Sequence, residues 1–334
     1  MTIDTHAHYV PARLLEAIAA KGGDIGVRLS QPASGPPALA FDYGFRARPF
    51  FAKLVEPVAA RCERLDAQGI DRQCVATWPD IYGYGLAPNA CAAWHRMLND
   101  TLADWVAGHR RFAFVASVPL VEAADAAAEL ERAVGLGAVA AMVPTNIEGT
   151  NLGERALDPF WARAEALGLP IMLHPVMVTP APRAARFALA QIAQYTFDTT
   201  LGLGSLIFSG LFDRFPGLSL ILPHGGGAFP YLLGRFDTMS GRMDRAAQGA
   251  VNERAPSAYL DRMGFDTIVH APKALRFLAD TAGLDSLVLG TDDGFPPADL
   301  DPLGSLEAAG FSAREIAAVA EENPRRRLPR LDTV

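Results

Sequence analysis

Directly after its first two residues the chain reads Ile3-Asp4-Thr5-His6-Ala7-His8, a short apolar run that ends in two histidines. This pattern predicts a short buried strand over residues 1–5 with the histidines just beyond it. In an extended segment residues i and i+2 point the same way, so both imidazoles face one point. Such a pair suits a divalent metal better than a packed core. The stretch therefore supplies half of a predicted metal site.

Further short apolar runs follow, and helical patterns separate many of them. Strands that alternate with helices predict parallel strands joined by crossover connections, and eight strands are enough to close a barrel. We therefore expect an α/β fold, a (β/α)8 TIM-like barrel. The predicted strands cover residues 1–5, 73–77, 112–118, 138–143, 170–174, 218–223, 264–269 and 286–290. Apolar spacings of three and four predict helices over 11–21, 56–68, 89–107, 121–134 and 158–167.

Two insertions interrupt this alternation, over residues 22–55 and 228–262. Each follows a predicted strand, so we expect both at the carboxyl-terminal face of the barrel, where barrel enzymes place their chemistry. No internal repeat, low-complexity tract or linker-like change in composition divides the chain. The sequence therefore predicts a single domain over residues 1–334.

The composition is that of a globular protein: the 334 residues are half apolar and one-fifth charged, with a net charge of −7. No apolar run approaches the roughly 18 residues needed to span a membrane. The negative charge provides no basic surface for nucleic acid. Cys62, Cys74 and Cys91 lack the spacing of a zinc knuckle, and residues 1–5 lack a leader-peptide pattern. We expect a cytoplasmic enzyme without membrane or nucleic-acid partners.

Five chemically capable residues fall at or just beyond the carboxyl ends of predicted strands. In a closed barrel those ends surround one mouth, so distant residues can meet around one ion. They are His6, His8, His174, His224 and Asp292. The predicted strand over 138–143 contains no lysine that could bridge two ions, which favours a single metal.

Imidazoles with one carboxylate suit zinc and also manganese, iron or cobalt, with a position open to water or substrate. We take Zn²⁺ as the default, with Mn²⁺ as an alternative and no organic cofactor. His224 precedes three glycines, so neighbouring side chains do not crowd it. We assign His224 acid–base work rather than permanent ligation. His270 follows the seventh predicted strand and could support the site indirectly.

Arg46 and Arg235 stand in the two insertions, near the predicted mouth. A guanidinium can bind a carboxylate through two parallel hydrogen bonds, so both are candidates to anchor an acidic substrate, although surface arginines are common. Tyr84 and Phe295 follow the second and eighth predicted strands. They are candidates to line the pocket, with aromatic packing as the alternative.

At these residues the chain resembles the metal-dependent decarboxylases of the amidohydrolase superfamily, most closely the 2-amino-3-carboxymuconate 6-semialdehyde decarboxylase group. The resemblance covers nearly the whole chain. It rests on the segments Asp4-Thr5-His6-Ala7-His8, Phe45-Arg46, Leu65-Asp66-Ala67-Gln68-Gly69-Ile70-Asp71, Asn99-Asp100, Leu173-His174-Pro175, His224-Gly225-Gly226-Gly227-Ala228-Phe229-Pro230, Phe265-Asp266-Thr267-Ile268-Val269-His270 and Gly290-Thr291-Asp292.

The resemblance implies a role for each candidate residue. One zinc ion with a water would be held by His6, His8, His174 and Asp292. The resemblance makes His224 the catalytic histidine beside the ion and places Arg46 in the substrate-binding arginine segment. It matches Arg235 to a second arginine that crosses a dimer interface, and so implies a homodimer.

Three departures from the family pattern lie around the predicted pocket. Val176 replaces a frequent tryptophan, Asp293-Gly294 replaces a Tyr-Pro pair, and Tyr82-Gly83-Tyr84 replaces a Tyr-Trp pair. We therefore expect a substrate other than the muconate semialdehyde. The extra carboxylate of Asp293 has three possible roles, which are pairing with an arginine, repelling an acidic ligand or facing solvent.

We predict a nonoxidative decarboxylase, a carbon–carbon lyase, that acts on a small unsaturated or aromatic carboxylic acid. His224 and Asp292 would handle the proton that replaces CO₂ on carbon. The alternative is a metal-dependent hydrolase of an amide, lactone or carbon–carbon bond, because metal-bound hydroxide is a good nucleophile in the same constellation. A noncatalytic metal-binding module is the third hypothesis.

Overall fold

The computed structural model describes residues 1–30, 35–176 and 181–333. Its strands are β1 Ile3–His8, β2 Val27–Ser30, β3 Ala38–Phe41, β4 Arg72–Ala76, β5 Phe112–Ser117, β6 Ala140–Pro144, β7 Asn146–Ile147, β8 Thr150–Asn151, β9 Ile171–His174, β10 Leu220–Leu222, β11 Met263–Asp266 and β12 Leu287–Val288. Eight of these described strands form one parallel sheet in the order β1-β4-β5-β6-β9-β10-β11-β12. Each coincides with one predicted strand.

The sheet closes because the chain after β12 returns to β1. The Thr5 N–H donates to the Leu289 carbonyl at 2.9 Å, and the Asp292 N–H donates to the His6 carbonyl at 2.8 Å. A parallel bridge joins Ala7 to Asp293 one step further along. This confirms the predicted (β/α)8 barrel and places the end of β1 beside the segment that follows β12 at its mouth.

Helices surround the barrel and connect its strands. They are α1 Ala12–Lys21, α2 Val58–Ala67, α3 Pro88–Ala107, α4 Ala123–Gly135, α5 Asp158–Ala166, α6 Tyr195–Phe208, α7 Leu211–Arg214, α8 Phe229–Arg242, α9 Arg245–Gln248, α10 Pro272–Ala282, α11 Pro302–Ala308, α12 Ala313–Ala317 and α13 Asn323–Arg327. The five predicted helices correspond to α1–α5, with bounds that differ by one or two residues. In the described part of the chain, no helix combines the length and apolar character needed to span a bilayer.

The barrel interior is filled by side chains from alternate strand positions. Cys74 and Ala76 on β4 and Ala140 and Met142 on β6 belong to one buried cluster, together with Ile3 at the start of β1. Inward residues of parallel barrels stack in this way because successive strand side chains point to opposite faces. The interior is therefore a packed core.

The loops after the strands build the wall of the mouth. The first predicted insertion contains the antiparallel hairpin β2–β3, and the second contains α8 and α9. A further insertion, not predicted from the sequence, follows β9 and leads through a π-helical turn, Ala190–Gln194, into α6. Three elaborated connections therefore follow the carboxyl ends of barrel strands.

Candidate active site

The five chemically capable residues meet at the mouth of the barrel. His6 and His8 end β1, His174 ends β9, and His224 and Asp292 follow β10 and β12. The His6 Nε2 lies 3.5 Å from Asp292 Oδ1, and His8 Nε2 lies 3.4 Å from the same oxygen. The His224 Nε2 lies 3.5 Å from Asp292 Oδ2. We refer to these residues as the histidine–aspartate cluster.

Hydrogen bonds outside the cluster fix the tautomers of the first two histidines. The His6 Nδ1 donates to the buried Asp266 carboxylate at 2.8 Å, and His8 Nδ1 donates to the Thr77 carbonyl at 3.3 Å. Since these partners only accept, both Nδ1 atoms carry the proton and both Nε2 atoms present lone pairs. Those Nε2 atoms are only 3.0 Å apart. Two facing lone pairs at this distance indicate a cation between them.

His174 is held in the same way as His6 and His8. The His174 Nδ1 donates to the Pro175 carbonyl at 2.7 Å, so its Nε2 also presents a lone pair. Among the described residues, neither that Nε2 nor Asp292 Oδ1, which are both buried, has a hydrogen-bond partner. Buried polar atoms without partners are costly, and a divalent cation would satisfy these. The donor set of imidazole nitrogens and a carboxylate fits Zn²⁺ or Mn²⁺.

The protonation states agree with a cation site. Burial lowers the pKa of His174 well below its usual range, and His8 and His6 lower it further. Burial also lowers the pKa of His8. Burial alone would raise the pKa of Asp292, but its interactions with the nearby His224, His8 and His6 imidazoles hold that pKa well below the usual carboxyl range. His6 differs, because burial is outweighed by its hydrogen bond to Asp266 and by the charges of Asp292, Asp266 and Asp4, which raise its pKa. His8 and His174 thus offer neutral imidazoles and Asp292 a carboxylate, the forms that bind metal.

One group of four potential ligand atoms differs in one member from the predicted ligand set. One atom each of His6, His174, His224 and Asp292 lies within 4.8 Å of the others. The prediction has His8 in place of His224. Because His8 Nε2 is also within 3.4 Å of Asp292, the geometry brings both histidines to the ion position. The division of their roles stays a prediction.

Backbone strain marks the turns that carry the last two members of the cluster. His224 and Asp292 adopt φ of 56° and 58°, in the left-handed region that side chains other than glycine rarely occupy. Such strain persists where the surrounding structure over-determines the conformation, as at functional sites. A Cβ on Gly227 would come within 2.1 Å of the Thr196 carbonyl oxygen, so this position requires glycine.

Asp266, at the end of β11, joins two parts of the site. One carboxylate oxygen accepts from His6 Nδ1, and the other accepts from the Gly225 N–H at 2.8 Å and the Ile268 N–H at 3.1 Å. The residue is fully buried. It therefore fixes the His6 imidazole and the turn that follows His224. Sequence reasoning missed this role, although Asp266 stands at a strand end within a segment that resembles the family.

A second buried network holds β1 against the last strand. The Asp4 carboxylate accepts from the Thr291 N–H and hydroxyl at 3.0 and 2.6 Å, and from the Gln73 side chain at 2.7 Å. Burial raises the pKa of Asp4 to about 6, although the bonds from Thr291 and Gln73 oppose this shift. Arg61 in turn donates to Gln73 at 2.8 Å. Thr291 directly precedes Asp292, so this network positions the carboxylate of the cluster.

Asp293 pairs with two arginines. Its carboxylate lies 3.3 Å from Arg61 and 2.9 Å from Arg64, and its pKa is lowered because these charges outweigh burial. Asp293 does not line the pocket. Of the three possibilities, pairing with arginine is the one that the structure adopts.

A cavity of about 840 Å³ opens above the cluster. His174, His224 and Asp292 line it together with Trp78 and Phe295. The Phe295 ring lies 4.7 Å from that of His8, so this predicted pocket residue does stand beside the cluster. The volume is typical of sites for small organic ligands.

The other predicted substrate-binding residues lie outside this cavity. Tyr84 donates its hydroxyl to the Val118 carbonyl at 3.0 Å and lines a separate, smaller cavity. Arg46 and Arg235 are exposed and do not line the cavity of a single chain. Their predicted contacts with substrate remain untested predictions.

Some cavity residues were not predicted as substrate contacts. They include Arg48, Asp80, Tyr195 and Val269. His270 also lines the cavity and is exposed, so it stands at the outer edge of the cavity rather than beneath the cluster. Tyr195 belongs to the insertion after β9, which gave no recognisable pattern in the sequence.

The Amidohydrolase family model matches residues 3–330. The chain belongs to this family. It is 29% identical to the 2-amino-3-carboxymuconate-6-semialdehyde decarboxylase of Dictyostelium discoideum over 326 residues, which cover 97% of this chain and 89% of that protein. It is also 30% identical over 239 residues to the 2-keto-4-carboxy-3-hexenedioate hydratase of a Sphingobium strain, covering 66% of this chain and 67% of that protein. The resemblance seen in the sequence is thereby confirmed.

Solved structures share the fold. An apo IDCase of Metarhizium anisopliae has a TM-score of 0.83 at 20% identity, with 99% of this chain and 97% of that chain covered. The dihydroxybenzoic acid decarboxylase of Polaromonas, solved with manganese and the inhibitor 2-nitroresorcinol, has a TM-score of 0.78 at 22% identity, covering 98% and 96%. The 5-carboxyvanillate decarboxylase of Novosphingobium aromaticivorans, with manganese and 4-hydroxy-3-methoxy-5-nitrobenzoic acid, has a TM-score of 0.78 at 21% identity, again covering 98% and 96%.

Proposed function

We propose that this protein is a metal-dependent nonoxidative decarboxylase of a small unsaturated or aromatic carboxylic acid. One observation carries the proposal. A buried cluster of acceptor atoms, with its imidazole tautomers fixed, opens into a cavity of about 840 Å³ in a chain whose relative over 97% of its length is a decarboxylase. Because the chain belongs to the Amidohydrolase family, we infer that the cluster binds a metal ion and supports a metal-dependent reaction.

His6, His8, His174 and Asp292 are the proposed ligands of one divalent ion. Zn²⁺ is the default for this donor set, and Mn²⁺ is supported by the manganese in the solved decarboxylases. The ion, when bound, provides positive charge that offsets the negative charge of a substrate oxygen. No organic cofactor forms part of the proposal.

His224 is the proposed proton-handling residue, together with Asp292. Its side chain lines the cavity with 17% exposure, and its Nδ1 has no hydrogen-bond partner among the described residues. Loss of CO₂ leaves carbanion-like electron density, and a proton must reach that carbon. An imidazole beside a carboxylate can hold this proton and release it to carbon. The Asp292 carboxylate, 3.5 Å from His224 Nε2, stabilises the positive charge of the protonated imidazole until the proton is transferred to carbon.

Apolar and aromatic side chains form much of the cavity wall. Trp78, Ile268 and Phe295 lie around the cluster and are at most 9% exposed. They provide a flat, dry surface for an unsaturated or aromatic ring. In such surroundings the charges of the cluster act more strongly on the substrate than they would in water.

We also propose a homodimer. Four exposed apolar side chains line the outer part of the cavity, which we call the apolar rim: Ile192, Phe197, Tyr231 and Phe277. Tyr231 is 79% exposed, and Arg235 follows it by one helical turn on α8. Contiguous exposed apolar surface is typical of an interface. A second copy that covers the rim would also bring its Arg235 towards the neighbouring cavity.

We also propose a cytoplasmic location, and this proposal rests on the state of the cysteines. Cys62, Cys74 and Cys91 are all free thiols, two of them buried. Unpaired cysteines fit a reducing compartment better than an oxidising one.

The proposed reaction is tested with purified protein loaded with Zn²⁺ or Mn²⁺ and a panel of hydroxybenzoates and carboxymuconates. Decarboxylation predicts CO₂ release and, in deuterated water, one deuterium on the product carbon that lost the carboxylate. If the protein releases CO₂ from none of the compounds in the panel, that result contradicts the proposal.

The alternative is a metal-dependent hydrolase of an amide, lactone or carbon–carbon bond. A relative named as a hydratase also uses water as a reactant, although it adds water without cleaving a bond. Turnover in oxygen-18 water separates the two reactions. Label in an organic product would indicate addition of water, whereas an unlabelled product with release of CO₂ would indicate decarboxylation.

A further inference from the structure

Arg61 is a buried arginine that the proposed reaction does not use. It lies on α2, and its side chain is 0% exposed. Burial lowers its pKa, although the nearby Asp293 and Glu56 carboxylates oppose this shift. Taking a guanidinium out of water is costly, and apolar side chains of similar size often serve the stability of a fold equally well. A role in stability alone therefore does not account for Arg61.

The guanidinium of Arg61 contacts three neighbouring segments of the barrel. Its Nη1 donates to the His8 carbonyl at 3.1 Å, at the end of β1. Its Nε donates to the Gln73 side chain on β4 at 2.8 Å. Its Nη2 lies 3.3 Å from the Asp293 carboxylate, beyond β12. The N–H groups of a guanidinium point in fixed directions within one plane, so this single side chain sets the relative positions of the three segments.

Aromatic rings also hold the Arg61 guanidinium. Its central carbon lies 5.3 Å from the Tyr9 ring centroid and 6.0 Å from that of Phe112. Such contacts attract the cation and restrict its orientation. Arg64 also reaches Asp293, at 2.9 Å, but its side chain is 20% exposed. Arg61 is therefore the more firmly fixed of the two arginines.

Two of the segments that Arg61 contacts carry proposed metal ligands. His8 is one of these ligands, and Asp293 directly follows another, Asp292. The His8 N–H donates to the Asp293 carbonyl at 2.8 Å, so Arg61, His8 and Asp293 form a closed ring of contacts. The last barrel strand, β12, ends at Val288, before Asp292 is reached. Side-chain contacts therefore contribute to the placement of Asp292 where the barrel closes.

We propose that Arg61 is a positioning residue of the metal centre, which sets the metal affinity by fixing His8 and Asp292 relative to each other where the barrel closes. The inference rests on the proposed function, because both residues are proposed ligands there. Arg61 does not line the cavity, so it acts through the ligands and not on the substrate. Groups that orient metal ligands commonly change metal affinity in this way.

Arg61→Lys tests the proposal with Co²⁺ as the probe. The variant keeps the positive charge but replaces the planar fork by one ammonium group, which cannot reach the His8 carbonyl, Gln73 and Asp293 together. Co²⁺ affinity, measured by competition with a chromogenic chelator, should fall about 10- to 100-fold, the usual loss when a group that orients a metal ligand is removed. The visible absorption spectrum of the bound Co²⁺ should change as well. That spectrum reports the ligand geometry, which a loss of global stability alone would not alter.

Arg61→Met separates position from charge. Removal of a positive charge near a cation would by itself tighten Co²⁺ binding, whereas loss of ligand placement weakens it. We expect weaker binding. If neither arginine variant folds, Asp293→Asn replaces them, because it keeps the shape of the side chain and removes the charge that faces Arg61 Nη2. It should also lower Co²⁺ affinity.

Arg214→Lys is the matched control. Arg214 on α7 donates to Asp158 at 2.9 Å, lies 5.7 Å from the Phe215 ring centroid and is 16% exposed. This variant should bind Co²⁺ as the wild type does. The inference is overturned if Arg61→Lys keeps the wild-type affinity and spectrum, if Arg61→Met binds Co²⁺ more tightly, or if Arg214→Lys loses as much affinity. Wild-type protein that binds Co²⁺ but releases no CO₂ would contradict the proposed reaction and leave the role of Arg61 in metal binding intact.

Discussion

The histidine–aspartate cluster and the apolar rim border one cavity, yet they are held in place very differently. In the cluster, His6 and His8 each have an external hydrogen bond that fixes the ring, and buried Asp4 and Asp266 tie strands together beneath it. The rim consists of exposed side chains, such as Tyr231, on helices beyond the strands. The cluster is therefore set by the barrel itself, whereas the rim lacks such support within one chain.

The difference indicates where chemistry and specificity reside. Groups that must hold an ion within a few tenths of an ångström are fixed by buried networks, because misplacement is costly. Groups that select the substrate stand on insertions, which can vary without disturbing the barrel. Substitutions in the two regions should consequently affect different measurements.

The largest effect is expected from His6→Ala. This change removes one ligand atom and leaves one oxygen of the buried Asp266 carboxylate without its partner, so metal content should fall to near zero and activity to background. Metal analysis after gel filtration and circular dichroism measure the two consequences. His95→Gln is the control, because His95 is buried outside the cluster against Ser117. Full metal content in His6→Ala would show that the cluster does not depend on its strand-borne histidines.

His224→Ala should reduce turnover by roughly 10²- to 10⁴-fold, the usual loss when an acid–base group is removed. Because His224 is assigned proton handling rather than ligation, metal content should stay near that of the wild type. Parallel measurements of kcat and bound metal check this. Metal loss as severe as in His6→Ala would instead make His224 a ligand, in agreement with its place among four potential ligand atoms that lie within 4.8 Å of one another.

Asp266→Asn should lower metal affinity by roughly 10- to 100-fold while the fold is retained. The asparagine oxygen can still accept from the Gly225 N–H, but its amide would donate to His6 Nδ1 and force the proton onto Nε2. Competition with a chromogenic chelator measures the affinity. An unchanged affinity would mean that the tautomer of His6 is not set by Asp266.

The smallest effect on the metal is expected from Tyr231→Glu in the rim. Metal content should be unchanged, while a charge in the proposed interface should shift the protein from dimer to monomer. Light scattering after gel filtration measures the mass. Leu136→Glu is the control, since Leu136 is an exposed apolar residue at the end of α4, remote in sequence from the rim. A monomeric wild-type protein would refute the homodimer.

The sequence predicted the inner region better than the outer one. All eight barrel strands coincide with predicted runs, and every predicted member of the cluster reaches the mouth. The predictions for the outer residues were less accurate. Tyr84, predicted in the pocket, points its hydroxyl at the Val118 carbonyl, and Arg46 is exposed, whereas Arg48 lines the cavity. The insertion that carries Tyr195 was not predicted.

By itself the sequence determined the order of strands and the residue types at their ends. Alternation of strands with helices permits few topologies, and barrel closure then brings all the carboxyl ends to one mouth. Only the tertiary structure decided the tautomer of His6, the pairing of Asp293 with arginines and the choice of Arg48 over Arg46 as a cavity residue. Those outcomes depend on contacts between distant segments and on irregular loops, which have no periodic pattern for a sequence to display.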